Sequence, residues 1–286
     1  MRGTIFGIIV CILLLVSGTS IATQHDQPVS QTTSLDDNVP EWHVGNSWTY
    51  TVYNLTINYD AQGQKVFVNG RIDDFTWTVT DTSNSTYYKI GFTGKLTANY
   101  DIIFSSVSGT VHLTGTFKNT LTRLKGTILF TKSNLQIHEV TAEIKGLTAT
   151  IIAPLKFPLP LPFKLIAHGG FSVDFPLFDF PLSSNKFWNM PNLDVTMQAN
   201  AGGILGIIQF PISFVTHYSW TPWAFHCQDK QDVTVAAGTF SAYKISSLFG
   251  DVFDYYYAPD VGNIIKIDAT LQNGAVHGEL KSMDYP

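Results

Sequence analysis

The amino-acid sequence predicts an all-β protein, built as a curved antiparallel meander sheet or open half-barrel with almost no helix outside a signal peptide. The composition favours strands, because 4 Glu stand against 31 Thr, 20 Phe and 12 Tyr, and threonine and aromatic side chains suit a pleated, half-buried surface. Apolar and polar residues alternate with the two-residue period of strands. Turn residues recur about every ten residues, as in a meander.

The N-terminus predicts export. Arg2 precedes an apolar run over residues 5–16, and small residues lead to Ala22, as in a signal peptide cleaved after Ala22. The run is shorter than the roughly 20 residues that span a bilayer, although an uncleaved N-terminal anchor is the alternative. We therefore expect a signal peptide at 1–22 and an extracellular or cell-surface location.

The remaining chain is predicted to be a flexible polar tether at 23–38 followed by a β domain at 39–286. Within that domain we distinguish an N half (39–153), a Pro/Phe-rich edge connector (154–182) and a C half (183–286). The basis for two similar halves is a weak internal sequence similarity, because a segment that begins with proline precedes a tryptophan in each half. The sequence leaves open whether the halves form one sheet or two.

The tryptophans of these two similar segments, Trp48 and Trp188, are each predicted to lie in the core near the start of a strand. Trp48 and Tyr50 share one face of the first strand, whereas Leu55 and Ile57 continue on the opposite parity. Such a change of parity predicts a β-bulge near Val52.

Turn residues predict where the strands end. Asn69-Gly70 and Ser83-Asn84 are typical of tight connections between strands. The segment 259–262 (Pro-Asp-Val-Gly) predicts another turn, with Gly262 able to adopt a positive φ. A strand returning from residue 263 is therefore expected to pair with the strand around 254–257.

The Pro/Phe-rich connector holds six of the 13 prolines and no threonine. Prolines at alternate positions 158, 160 and 162 remove N–H donors from one side of an extended chain, which predicts an edge strand. One interpretation is edge protection with core packing. The other is the apolar lip of a ligand groove or a membrane-contacting rim. The groove candidates are Phe157, Leu159, Leu161, Phe163 and Phe171.

Three short motifs resemble one known family. They are W-x-V-G-x-S-W-x-Y from Trp42 to Tyr50, G-T-F-x-A-Y-K-I from Gly238 to Ile245, and Y-Y-A-P-x-V-G-x-I-I-K near Tyr256 to Lys266. They resemble exported archaeal and bacterial proteins of uncharacterised function, which are similar to the half-barrels of lipoprotein carriers. The resemblance covers about a fifth of the chain. It implies the fold class and export, and by analogy apolar-ligand binding.

Several kinds of chemistry are not expected from this sequence. A net charge of −5 argues against binding nucleic-acid phosphates. The densest set of metal-ligand types, His217, His226, Cys227 and Asp229, lacks the paired ligands of zinc sites, and neighbouring strand residues 226 and 227 point to opposite faces. No Gly-x-Ser-x-Gly motif precedes a helix. We therefore predict no catalytic residues, no metal and no cofactor.

The sequence thus favours an exported non-catalytic β protein that binds a lipid or another apolar small molecule in a concave sheet. A structural or adhesive component of the cell envelope, with envelope partners, is the first alternative, and a secreted hydrolase is the second. The sequons at Asn54 and Asn84 are candidate glycosylation sites. The oligomeric state is not predicted.

Overall fold

The computed structural model describes residues 38–61, 64–106, 109–117, 123–153, 157–189, 193–202, 214–220, 224–248, 252–271 and 273–286. The predicted signal peptide, the cleavage site at Ala22 and nearly all of the tether lie outside these residues. Among the described residues, no helix combines the length and the apolar character needed to cross a bilayer. The strands are β1 (Ser47–Ala61), β2 (Gln64–Asp81), β3 (Tyr87–Ser106), β4 (Gly109–Phe117), β5 (Arg123–Thr131), β6 (Ile137–Ala153), β7 (Phe157–Phe175), β8 (Lys186–Asn189), β9 (Leu193–Gly202), β10 (Phe214–Trp220), β11 (Ala224–Val235), β12 (Gly238–Ser247), β13 (Val252–Ala258), β14 (Asn263–Leu271) and β15 (Gly274–Asp284).

All fifteen strands belong to one antiparallel sheet with the order β10-β9-β7-β6-β4-β3-β2-β1-β15-β14-β13-β12-β11-β8. β5 pairs with β3 and β6, as β4 does. The two short strands therefore follow one another in the space between these two long strands. The described sheet stays open, with β10 and β8 at the two ends of its path. The predicted fold class, an all-β protein with a curved open meander sheet, is confirmed.

The first and last strands meet in the middle of the sheet. β1 pairs with β2 on one side and with β15 on the other, where Ser47 lies opposite Asp284. The strands of both predicted halves therefore belong to one sheet, which the sequence left open. The predicted bulge is confirmed as well, because the register shifts on both sides of Val52.

The two ends of the sheet path are formed by strands that are close in sequence. At one end β8 pairs with β11, with Asn189 opposite Ala224. At the other end β10 pairs with β9, with Trp220 opposite Leu193.

The proline-rich strand β7 differs from the predicted edge connector. It pairs with β6 on one side, and over Lys164–Phe171 it pairs with β9 on the other. The prolines end at residue 162, so the N–H groups needed for a second ladder are present beyond that point. The prediction of an edge strand is therefore wrong for the second half of β7. Over 157–163 the described pairing is with β6.

The Asn69-Gly70 pair is not a turn, contrary to the sequence prediction. Both residues lie inside β2, where Gly70 faces Leu55 of β1 and Ala98 of β3. A Cβ built on Gly70 would lie 2.2 Å from the main-chain oxygen of Thr97. Glycine is therefore used here for a close approach of two strands, and not for its access to positive φ.

One continuous core covers a single face of this sheet, and both predicted tryptophans lie in it. Trp48 is 0% exposed and Trp188 is 7% exposed, each close to the start of its strand. Their indole nitrogens donate to main-chain oxygens, Trp48 to Val261 at 2.8 Å and Trp188 to Pro176 at 3.1 Å. Each indole is thus fixed by packing and by one buried hydrogen bond.

On the surface, Asp74 ties β2 to two other strands. Its carboxylate accepts hydrogen bonds from Lys281 at 2.8 Å and Lys95 at 2.7 Å. These two ammonium groups lower the pKa of Asp74 from 3.8 to about 2. Because the pKa is lowered on folding, the contribution of Asp74 to stability is present above pH 3.8 and is lost as the pH falls towards 2.

We expect Asp74→Asn to lower the stability slightly at pH 7 and by clearly less near pH 2, where part of the Asp74 carboxyl is protonated. Asparagine tolerates the positive φ of 49° at this position, so the substitution tests the charge alone. The side chain is 37% exposed, and the loss should stay below about 1 kcal/mol. Thermal melts at both pH values would check this, and an equal loss at the two pH values would contradict it.

Candidate ligand-binding cavity

The residues of the first sequence motif hold β1 against the turn between β13 and β14. The indole nitrogens of Trp42 and Trp48 donate to the oxygens of Gly262 and Val261, at 3.0 and 2.8 Å. The hydroxyl of Tyr50 donates to the oxygen of Ile264 at 2.9 Å. The first and third sequence motifs therefore contact each other directly. They are more than 200 residues apart in the chain.

The predicted turn at 259–262 is confirmed and has the geometry that this contact requires. Pro259–Val261 form one 3-10 turn, and Gly262 follows with φ 64°. A Cβ on Gly262 would lie 2.5 Å from the ring of Tyr285, which itself stacks against Trp48 at 5.6 Å. Only glycine both adopts this positive φ without strain and leaves the space that the Tyr285 ring occupies.

Beside this contact, the core leaves a cavity of about 60 Å³. Its wall is formed by β1, β2, β13, β14 and β15, with one residue each from β6 and from the segment after β7. The lining residues are Tyr50, Val52, Phe75, Trp77, Ile137, Leu177, Phe253, Tyr255, Ile264, Lys266, Ile267, Val276 and Gly278. Val52, Trp77 and Ile267 are only half-buried, so the cavity reaches towards the surface on their side.

The two phenols in the wall are already bonded to the protein. Tyr50 donates to Ile264, and Tyr255 donates to the main-chain oxygen of Leu177. Burial raises the pKa of both hydroxyls, so they remain protonated donors at neutral pH. Neither hydroxyl hydrogen is available to a molecule inside the cavity.

Trp77 is different. Its indole Nε1 is buried and has no hydrogen-bond acceptor within the described part of the chain. Its ring packs edge-on against Tyr50 at 5.8 Å and Phe75 at 6.2 Å. A buried N–H without a partner costs free energy, and an acceptor on a bound molecule would remove that cost.

Lys266 contributes to the wall, but its ammonium group is held elsewhere. The Nζ atom lies 2.8 Å from the carboxylate of Asp268 and 5.5 Å from the ring centroid of Tyr256. The ion pair raises the pKa of Lys266. The cavity therefore combines apolar side chains with one hydrogen-bond donor.

Phe171, the groove candidate whose side chain the structure describes, does not line this cavity. Phe157, Leu159, Leu161 and Phe163 lie in β7, where the structure describes the main chain. Phe171 is half-buried and packs against Phe175 at 5.8 Å. Tyr50, Phe75 and Trp77 alternate with polar residues along their strands, and this alternation gives no sign of the space between them.

The two sequons differ in their surroundings. Asn84 is exposed in the connection between β2 and β3, and its Oδ1 accepts from the main-chain nitrogens of Thr86 and Tyr87 at 2.7 and 3.0 Å. Asn54 is half-buried within β1, where its Oδ1 accepts from Thr56 at 3.0 Å. Asn84 is the more accessible of the two.

The candidate metal ligands of the sequence are not gathered into a site in the described residues. Cys227 is fully buried, whereas His226 stacks on Phe187 at 4.2 Å on the other face of β11. Burial lowers the pKa of His226. Within the described ranges, no three His, Cys, Asp or Glu side chains form a metal-binding group. His217 lies in β10.

Comparison with protein-family models, with curated proteins and with solved structures found no match for this chain. The family resemblance of the three motifs therefore stays an expectation from the sequence. The geometry of the cavity is therefore the basis for a proposed function.

Proposed function

We propose that this protein is an exported, non-catalytic binding protein for a lipid or another apolar small molecule. The observation that carries the proposal is the apolar cavity between the first and last strands, with the buried, unpartnered Nε1 of Trp77 in its wall. Ligand sites are commonly apolar pockets with a few polar groups that orient the ligand. Trp77 would supply that group here.

The size of the cavity limits what it can hold. An apolar cavity of about 150 Å³ takes up benzene, whereas the cavity here measures about 60 Å³. It suits the end of a narrow alkyl chain, and the rest of the molecule would leave past the half-buried rim residues Val52 and Ile267. An acceptor oxygen near that rim would bond to Trp77.

Export belongs to the same proposal, because apolar molecules need a carrier or a receptor in an aqueous compartment outside the cytosol. The signal peptide at 1–22 supports it, as do the sequons. Of these, Asn84 is exposed, and we propose it as the glycan acceptor in a host that glycosylates.

Two substitutions test the cavity with a dansylated undecanoic acid as the fluorescent probe. Val52→Phe should fill the cavity from its rim and weaken binding about tenfold or more, because overpacking costs about 1–3 kcal/mol. Trp77→Phe keeps an aromatic ring at this position, although a smaller one, and removes the indole N–H, which should weaken binding about threefold to tenfold. Both effects are read from a fluorescence titration.

Val252→Phe is the matched control, since Val252 is 58% exposed and lies on β13 outside the cavity wall. It adds the same apolar surface and should leave the affinity unchanged. The proposal fails if the wild-type protein does not bind the probe, or if Val52→Phe binds it as tightly as the wild type does.

A further inference from the structure

The N half carries a second, larger concavity on the face of the sheet opposite the core. This outer groove has a volume of about 630 Å³, within the range of roughly 300–1,000 Å³ that is usual for small-molecule sites. Its lining residues are Thr76, Thr78, Thr80, Gly91, Phe92, Thr93, Lys125, Gly126, Thr127, Thr141, Glu143, Ile166 and His168.

Most of these residues form two rows that cross five neighbouring strands in direct register. Thr78, Gly91, Thr127, Thr141 and His168 are opposite one another in the first row. Thr76, Thr93, Lys125, Glu143 and Ile166 form the second row. Strands are about 4.8 Å apart, and residues two apart on one strand are separated by about 6.6 Å. The hydroxyls therefore occupy a regular, closely spaced array.

Three hydroxyls in the middle of this array are available to a ligand. Those of Thr78, Thr93 and Thr127 make no side-chain hydrogen bond to the described residues, whereas Thr141 bonds to His168 at 3.0 Å. A hydroxyl both donates and accepts hydrogen bonds. Such an array matches a ligand that itself carries many hydroxyls.

The charged side chains of the groove are engaged in ion pairs. The ammonium group of Lys125 lies 3.4 Å from the Glu143 carboxylate, which is also 3.2 Å from the ammonium group of Lys145 beside the groove. A charged ligand would have to compete with these pairs, whereas a neutral ligand would leave them intact.

The floor of the groove is kept open by a glycine. Gly91 lies between Thr78 and Thr127 in the first row, and a Cβ there would lie 3.0 Å from the methyl group of Thr80. The half-buried Ile166 adds an apolar patch to the wall. Sugars present such a mixture of hydroxyls and C–H surfaces.

We propose that the outer groove binds a short neutral oligosaccharide. The site is separate from the apolar cavity, because the two share no lining residue. This inference does not depend on the proposed function. With such a groove, the exported protein would bind glycans on one face of the sheet and an apolar ligand on the other.

The test is isothermal titration calorimetry of the full chain with maltotriose, cellotriose, mannotriose and tri-N-acetylchitotriose, and with a heparin trisaccharide as the anionic comparison. We expect at least one neutral trisaccharide to bind. The double variant Thr78→Val/Thr127→Val, which keeps the side-chain shape and removes two hydroxyls, should weaken that binding about tenfold or more. Its affinity for the dansylated fatty acid should not change.

Thr234→Val/Thr270→Val is the matched control, because both threonines are exposed on strands β11 and β14, away from the groove. It should bind the sugar like the wild type, and circular dichroism should show both double variants folded. Equal binding by the groove variant, binding of the heparin trisaccharide alone, or no binding to any of the four neutral sugars would overturn the proposal.

Discussion

Replacing Trp48 by alanine should lower the free energy of unfolding by about 3–5 kcal/mol, as for buried aromatic side chains in general. Trp48 is 0% exposed and packs against Trp42 and Tyr285, with ring centroids 5.2 and 5.6 Å away. The substitution opens a cavity and leaves the buried oxygen of Val261 without its indole donor. Chemical denaturation with urea would measure the loss.

Trp48→Phe separates the two contributions. Phenylalanine keeps much of the packing but cannot donate to Val261, so the expected loss is smaller, about 1–3 kcal/mol. An unchanged urea midpoint for both variants would show that the contact between β1 and the β13–β14 turn is not important for stability. That result would also contradict the structural role that we assign to the first sequence motif.

Gly70→Ala should destabilise the protein by about 2 kcal/mol or more, at the upper end of the range for overpacking. The new Cβ would lie 2.2 Å from the main-chain oxygen of Thr97 and 2.5 Å from the Cβ of Ala98. Main-chain atoms cannot turn aside, so β2 and β3 must separate locally. The melting temperature and the urea midpoint would both fall.

Gly170→Ala is the matched control, because it is also a glycine inside a strand, in β7. A Cβ at Gly170 would meet no atom of the described residues within 4 Å, and alanine reduces the conformational freedom of the unfolded chain. We expect a neutral or slightly stabilising effect of up to about 1 kcal/mol. Equal losses for the two variants would mean that the close approach at Gly70 is not responsible.

The sequence predicted those features that depend on neighbouring residues. The alternation around Trp48 and Tyr50 identified β1, and the change of parity placed its bulge near Val52, where both ladders shift register. The turn before Gly262 followed from its residue types. In each case the local pattern and the tertiary structure require the same conformation.

Where local and tertiary requirements differ, the sequence misled. Asn69-Gly70 is typical of a hairpin turn, yet it lies in the middle of an 18-residue strand, because β3 needs a glycine opposite Ala98. The alternating prolines of β7 predicted an edge, and over 157–163 the described pairing is indeed with β6 alone, but β9 pairs with the part of the strand that follows them. In both cases the neighbour that decides the structure, Ala98 of β3 or strand β9, lies outside the local sequence pattern.

The two candidate sites could not be predicted because each depends on pairings between distant segments. Tyr50 and Phe75 meet Phe253 and Tyr255 in one cavity wall, although about 200 residues separate the pairs. In the outer groove, the threonines of β2 indicate only a solvent-facing side. Their alignment with Thr127 and Thr141 comes from the register of three ladders, which no single strand encodes.

The pairing of β1 with β15 affects how the chain reaches its native state. A polypeptide emerges from the ribosome, or from an export channel, with its N-terminus first, so the edge of β1 that pairs with β15 stays unpaired until β15 has emerged. Contacts between such distant segments slow folding. An exposed strand edge also invites pairing with other chains during that interval. The protein therefore acquires its central ladder, and with it the wall of the apolar cavity, only after β15 has emerged.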